Sequence, residues 1–242
     1  MSEYKNPFSE RLLMETHIRT ATIKEKVYHH LRQKILHHQY CPGEWLQEKE
    51  IAEKLQVSRS PVREALQMLV KEGLATEIPQ KGVWVRTLTE KDVEEIFALR
   101  ILLEGDAIKR IGRQLLEEDA AALRACLSHE FAAHLEDNDP WGETLTEGLH
   151  ALVVRLGQNR TALGIHEKLC AMLTLLNIPS ILGDADAERC REEHERIVML
   201  LLENDPMGAA AVNTAHQEHA MALILAHMEQ KRRSLAKTGR KC

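Results

Sequence analysis

The sequence predicts a mainly α-helical protein built as an N-terminal winged helix-turn-helix followed by an all-α antiparallel helical bundle. Three observations carry this. Residues 58–73 read as a short helix gripped on one face and basic on another. Two valine-containing segments flank the turn Pro79-Gln80-Lys81-Gly82. From Thr89 onward, apolar residues recur at helical period amid abundant Leu, Ala and Glu, with little strand-like alternation.

Thr22-Ile23-Lys24-Glu25 is a capping box, and Ile23, Val27, Leu31, Ile35 and Leu36 continue a helical stripe to about Gln39. Cys41-Pro42-Gly43 breaks the chain. A short second helix from about Gln47 to Leu55 turns Ile51, Ala52 and Leu55 inward before the tight Gln56-Val57-Ser58 connection. Ser58 is the expected N-cap of the third helix, Pro61 falls in its first turn, and Gly73 stops it. Val62, Leu66, Leu69 and Val70 form its buried stripe, whereas Arg59 and Arg63, four apart, present two guanidinium forks suited to phosphates or guanine edges. Leu74 to Ile78 and Val83-Trp84-Val85-Arg86 make a hairpin with Lys81 and Gly82 at its tip, Trp84 packing the hairpin. Thr89-Glu90-Lys91-Asp92 opens the first helix of the bundle, striped by Ile96, Leu99, Leu103 and Ala107. Breaks at 137–140, 177–179 and 204–206 divide the rest, giving six or seven helices in all; Asp205 reads as an N-cap with Pro206 at the first helical position.

Charge divides the chain at about Arg86. Residues 22–86 hold 11 Lys+Arg against 8 Asp+Glu, and residues 87–242 hold 18 against 26. A modestly basic head on an acidic body fits a DNA reader joined to a part that does not touch DNA. The expected organisation is a tail over 1–21, a DNA-binding domain over 22–86, a helical effector-binding and dimerisation domain over 87–230, and a loosely ordered basic tail over 231–242. Cysteines 41, 126, 170, 190 and 242 show no paired short spacing and read as free thiols of a reducing compartment. With no apolar leader and no membrane-length apolar run, the expected location is the cytoplasm.

Taken in order, Val27-Tyr28, Pro42-Gly43-Glu44-Trp45-Leu46, Glu48-Lys49-Glu50-Ile51-Ala52, Val57 through Leu66, Glu72-Gly73-Leu74 and Lys81-Gly82-Val83 closely resemble the GntR family of bacterial transcription regulators. The resemblance implies that Arg59 and Arg63 read bases with Ser58 and Ser60 beside them, that Lys49 and Lys81 assist, and that Gly82 enters the minor groove. The family often has arginine at the position of Lys49; lysine, a point charge, suits a phosphate contact. A homodimer on a near-palindromic operator is expected, because one recognition helix covers only a few base pairs and cannot supply operator-level specificity.

His150 with Asn159, Glu193-His194 before Asp205-Pro206, and Ala211 with His216 resemble the FCD ligand-binding domain of the FadR-type branch. Spacing alone shows nothing, because 22 or more residues separate the histidines. The resemblance implies that His150, His194 and His216 hold a divalent metal, zinc or nickel by donor type. An aspartate four residues before the first histidine completes the family's set; here that position is Thr146, with Glu143 and Glu147 nearby. His219 is a neighbour. Arg100 and Glu104 stand one turn apart and read on spacing as an intrahelical ion pair. The resemblance instead turns Arg100 toward the acid group of a small carboxylate effector.

The function expected is thus a DNA-binding transcription regulator, a repressor and not an enzyme, controlled by an organic acid. Two rivals stand beside it: a metal-free regulator with an apolar acyl-type cavity, against which the three histidines count, and a metal-dependent hydrolase with a DNA-binding head. No H-E-x-x-H arrangement supports the latter.

Overall fold

Thr22 and Glu25 close the capping box that opens α1 (Ile23–Leu36): the Thr22 amide donates to Glu25 Oε2 at 2.8 Å and the Glu25 amide to Thr22 Oγ1 at 3.4 Å. The structure, a computed structural model, describes residues 21–111, 115–135, 148–178, 181 and 183–238. The chain forms two compact units, one ending at Val85 and the other beginning at Arg86, with residues 36–38 grouped with the second.

In the first unit α1 is followed by β1 (Trp45–Leu46), α2 (Glu48–Leu55), α3 (Arg59–Glu72), β2 (Ala75–Ile78) and β3 (Gly82–Val85). Val62, Ala65, Leu66 and Leu69 of α3 are buried with Val27, Leu31 and Ile35 of α1 and Ile51 and Ala52 of α2. Gln56, at φ 54°, turns the chain between α2 and α3, and Gly73 ends α3 at φ 87°, a backbone that glycine adopts without a Cβ penalty. Ser58 occupies the N-cap position in extended backbone, yet its side chain makes no capping bond, so Pro61 and the packed stripe define this helix start more than the serine does. The sheet order is β1-β3-β2, antiparallel throughout. Val83 and Val85 face the core together, as their alternation requires. β1 is a third strand that the sequence did not suggest, since two residues cannot show alternation; it pairs Trp45 with Trp84 and Leu46 with Val83.

In the second unit the described residues form six helices, α4 (Glu90–Ile111), α5 (Glu117–Leu135), α6 (Leu149–Leu156), α7 (Arg160–Leu173), α8 (Asp184–Leu202) and α9 (Pro206–Thr238), with a 3-10 turn at Thr174–Leu176. Thr89 and Asp92 start α4 by another reciprocal cap, and Asp205 accepts from the Gly208 amide at the start of α9. Asn159 caps α7 by accepting from the Ala162 amide at 3.1 Å. The helix α4 packs on α6, α7 and α9, and α8 packs on α5 and α9. Their common core is aliphatic, including Ile108, Leu123, Leu149, Val154, Ile197 and Leu201. The break expected at 137–140 lies outside the described residues, as do residues 1–20 of the expected N-terminal tail. The expected C-terminal tail is corrected: α9 continues to Thr238, and Lys231, Arg232 and Arg233 are helical, with Arg233 Nε donating to Glu229 Oε1 one turn back at 2.6 Å. No described helix is long and apolar enough to cross a membrane.

One close approach sets the spacing of α4 and α6. A Cβ at Gly157, just past α6, would stand 2.8 Å from Ala107 Cβ and 2.9 Å from Ala107 Cα. The second of those is backbone and cannot rotate away. Gly157→Ala should therefore destabilise the protein by about 1–3 kcal/mol, measured as a lower denaturant midpoint; an unchanged midpoint would show that α4 and α6 separate freely.

Candidate nucleic-acid interface and candidate metal centre

The start of α3 is exposed. Arg59, Ser60 and Arg63 all lie on the surface with Ser58 ahead of them. Arg63 is held: its Nε donates to Glu48 Oε1 at 3.0 Å and its Nη2 to Glu48 Oε2 at 2.9 Å, a fork-on-fork pair between α2 and α3. The bond and charge of Arg63 hold the Glu48 carboxyl below its usual range. Lys49, on α2, is exposed and 3.9 Å from Glu53. Ser60 Oγ donates to Glu64 at 3.4 Å. At the hairpin tip Lys81 is exposed, and Gly82 has φ 87° with the Trp45 indole pressed against it, so that a Cβ there would lie 2.9 Å from Trp45 Nε1. Trp45 stacks on Trp84, whose Nε1 donates to the Lys81 carbonyl at 3.2 Å. The two indoles thus brace the tip. Gln67 Nε2 donates to Glu77 at 3.0 Å, tying α3 to β2. The seven residues expected at the interface all lie in this one unit, and Glu48, not anticipated, joins them.

The second unit brings His150 of α6, His194 of α8 and His216 of α9 to one point. Their Nε2 atoms are each 3.2 Å from the other two. Carboxylates set the tautomers: His150 Nδ1 donates to Glu104 Oε2 at 2.8 Å and His216 Nδ1 to Glu193 Oε2 at 2.8 Å. In neutral rings so held, Nε2 is bare and aims its lone pair at the other two rings. Tetrahedral bonds of about 2.0–2.1 Å put donor nitrogens roughly 3.3 Å apart, so the set fits a divalent transition-metal ion. Among the described residues this is the one group of three or more such side chains that converges closely enough for an ion. Thr146, Glu143 and Glu147 lie outside the described residues.

Behind His150 stands a buried charge cluster centred on Glu104. Its Oε1 accepts from Arg100 Nε at 3.0 Å and His166 Nε2 at 2.8 Å; its Oε2 accepts from His150 and from Gln217 Nε2 at 2.5 Å. Burial opposes this charge, but the neighbouring His150 and Arg100 and the bond from His166 hold the carboxyl well below its usual range. Arg100 is 3% exposed and makes the ion pair its spacing suggested. Its Nη2 stands 3.0 Å from Glu104 Oε1 in that pair, whereas the Asn213 Nδ2 is buried with no hydrogen-bond partner. Burial pushes His150 down to about 3, leaving it neutral, and also lowers His216. Burial acts on His166 in the same direction, but its contacts with Cys170 and Glu104 outweigh it and raise the ring to about 9. Glu193 is lowered to about 2 by His216, with Arg189 adding to the effect.

Glu104, Glu193, His166, Asn213 and Gln217 were not anticipated as site residues. Two signals were present: Glu193 precedes His194, and Asn213 and Gln217 share the α9 face of His216.

The two buried imidazoles titrate in opposite senses. His150 binds its proton near pH 6.5 when unfolded and near 3 when folded, so its contribution to stability is lost as the pH falls below 6.5 toward 3. His166 does the reverse: its contribution is complete below 6.5 and is lost as the pH rises through about 9. The melting temperature of metal-free protein should peak near pH 6.5, and His166→Gln should flatten the alkaline limb. A wild-type curve that climbs from pH 6.5 to 9 would contradict the assignment.

Residues 23–85 match the profile of bacterial regulatory proteins of the gntR family, and residues 95–219 match that of the FCD domain. The chain is 32% identical over 193 residues to the uncharacterized HTH-type transcriptional regulator YdhC of Bacillus subtilis (strain 168), covering 79% of this chain and 86% of that one. It is 26% identical over 198 residues to the HTH-type transcriptional repressor RspR of Escherichia coli (strain K12), covering 81% and 86%. The fold is that of E. coli McbR/YncC, with a TM-score of 0.72 at 19% identity over 86% of this chain and 100% of that one. The chain therefore belongs to the gntR family of bacterial regulatory proteins, as a DNA-binding transcription regulator with a C-terminal FCD domain.

Proposed function

We propose that this regulator is a cytoplasmic repressor that binds a near-palindromic operator as a homodimer and leaves it when a small organic acid enters the FCD domain. The observation that carries the effector half is the convergence of three imidazole Nε2 atoms on one point, linked through Glu104 to the buried cation Arg100. His150, His194 and His216 would hold a divalent ion of the zinc or nickel type. When bound, the ion supplies an electrophilic position for one carboxylate oxygen. Asn213 Nδ2 is a donor left for the rest of the acid, and Arg100 would share its charge between Glu104 and the acid. The protein's own residues bind and orient. A buried set of Arg100, Glu104, His166, Asn213 and Gln217 is also a poor lining for an acyl chain. RspR is a repressor by name, and that likeness supports the sign of regulation.

On the DNA side, Arg59 and Arg63 read base edges in the major groove, with Ser58 and Ser60 at the helix start. Lys49 and Lys81 contact phosphate, and Gly82 lets the hairpin tip approach the minor groove. Arg63 exchanges Glu48 for a base when it binds. A two-fold pair of heads supplies operator-level specificity. The acid acts only through its differential affinity for the dimer conformation that fits the operator and the one that does not.

Sequencing of genomic fragments captured by the purified protein at near-physiological salt tests this reading. A few palindromic sites should be enriched. Arg59→Ala/Arg63→Ala should weaken binding to them by roughly 30-fold or more, at about 1–3 kcal/mol per bidentate base contact. Equal enrichment by the variant would contradict the assignment of α3.

A further inference from the structure

The outer face of α4 carries an apolar stripe that the unit's own packing leaves uncovered. Leu102 is 68% exposed and Leu99 46%, in a helix whose opposite face is fully buried. Lys91, Glu95, Ala98, Leu102, Gly105 and Lys109 follow one another at alternating intervals of four and three, the spacing of a helix seam. At about 100° per residue they lie along one line of the helix, with Leu99 and Asp106 flanking it. A Cβ at Gly105 would meet nothing within 4 Å, so this face is open at its narrowest point.

Two pairs of charges on this helix are antisymmetric about Leu102. Glu95 stands seven residues before it and Lys109 seven after; Glu94 stands eight before and Arg110 eight after. A second copy of the same helix, laid antiparallel with Leu102 on the two-fold axis, sets Glu95 opposite Lys109 at each end. The same register sets Leu99 over Gly105 of the second copy, where the missing side chain leaves room for the leucine. A parallel copy would align like charges, and an arbitrary acidic or basic partner would meet one end only. The present partners of these charges do not prevent the exchange. Glu95 is 3.7 Å from Lys91 and Arg110 2.7 Å from Asp106, in pairs whose side chains are more than half exposed.

We propose that this face of α4 is the two-fold contact between two copies of the chain, centred on Leu102 and registered by Glu95 against Lys109. The proposal rests on the homodimer reading and assigns its surface. An isologous contact of this kind needs a self-complementary patch, which an antisymmetric charge pattern around an apolar centre provides.

Sedimentation velocity of the full chain over a range of concentrations tests it. Wild type should dimerise, and Leu102→Arg should sediment as a monomer with unchanged helical content, since the side chain is exposed. Glu95→Lys should weaken the dimer about tenfold, because two attractive pairs become repulsive. Adding Lys109→Glu to that variant should restore it. A Leu102→Arg protein as dimeric as wild type would overturn the proposed surface and leave the homodimer reading standing. Equal weakening in the single and double charge variants would overturn the register. A wild type that is monomeric throughout would overturn both the surface and the homodimer reading.

Discussion

The bundle's polar interior depends on one carboxylate. Glu104 is fully buried, and four donors from α4, α6, α7 and α9 fill its two oxygens. Each would otherwise be a polar group stranded in an aliphatic core, and an unpaired buried charge costs several kcal/mol. The carboxylate therefore fixes more than a pair. It holds Arg100 inward, keeps His166 protonated, and selects the tautomer of His150 whose Nε2 faces His194 and His216. Glu193 does the same for His216 from α8, with Arg189 holding its other oxygen at 2.8 Å. The imidazole cluster is thus preorganised by its neighbours, the condition for tight and selective metal binding.

That arrangement also bears on the missing aspartate. Thr146 stands where the family places a fourth ligand with a negative charge. Here two carboxylates lie one bond further out, behind His150 and His216, and transmit part of their charge through the Nδ1–H bonds. Donation to a carboxylate raises the basicity of the ligating nitrogen. Among the described residues the centre offers three imidazoles with a carboxylate behind two of them.

Much of the DNA-binding unit was legible in the sequence because its signals are local. Thr22 and Glu25, Gly73 and the Val83/Val85 alternation each act within a few residues and appear in the structure as read. β1 was not legible, since Trp45 and Leu46 become a strand only by pairing with β3. The clamp of Glu48 on Arg63 joins two helices and has no spacing rule behind it. In the bundle, the three histidines converge although 66 residues separate the first from the last. Composition and period could not foretell that; the family resemblance could. Arg100 shows the limit of both routes. Its spacing pointed to Glu104 and the resemblance to a ligand, and the structure forms the first contact through both Nε and Nη2. His166 carries no local signal, because its role is set by Glu104, 62 residues away.

The central claim is that three imidazoles converge on one point and that carboxylates behind two of them, His150 and His216, select the tautomer with a bare Nε2. Calorimetric titration of zinc into metal-stripped protein, repeated in buffers of different ionisation enthalpy, tests it most directly. The account predicts one ion per chain in wild type, released protons too few to register at pH 7 because Nε2 is already bare on His150 and His216, and loss of the site in His194→Ala. Absence of binding by wild type, or undiminished binding by the variant, would contradict it.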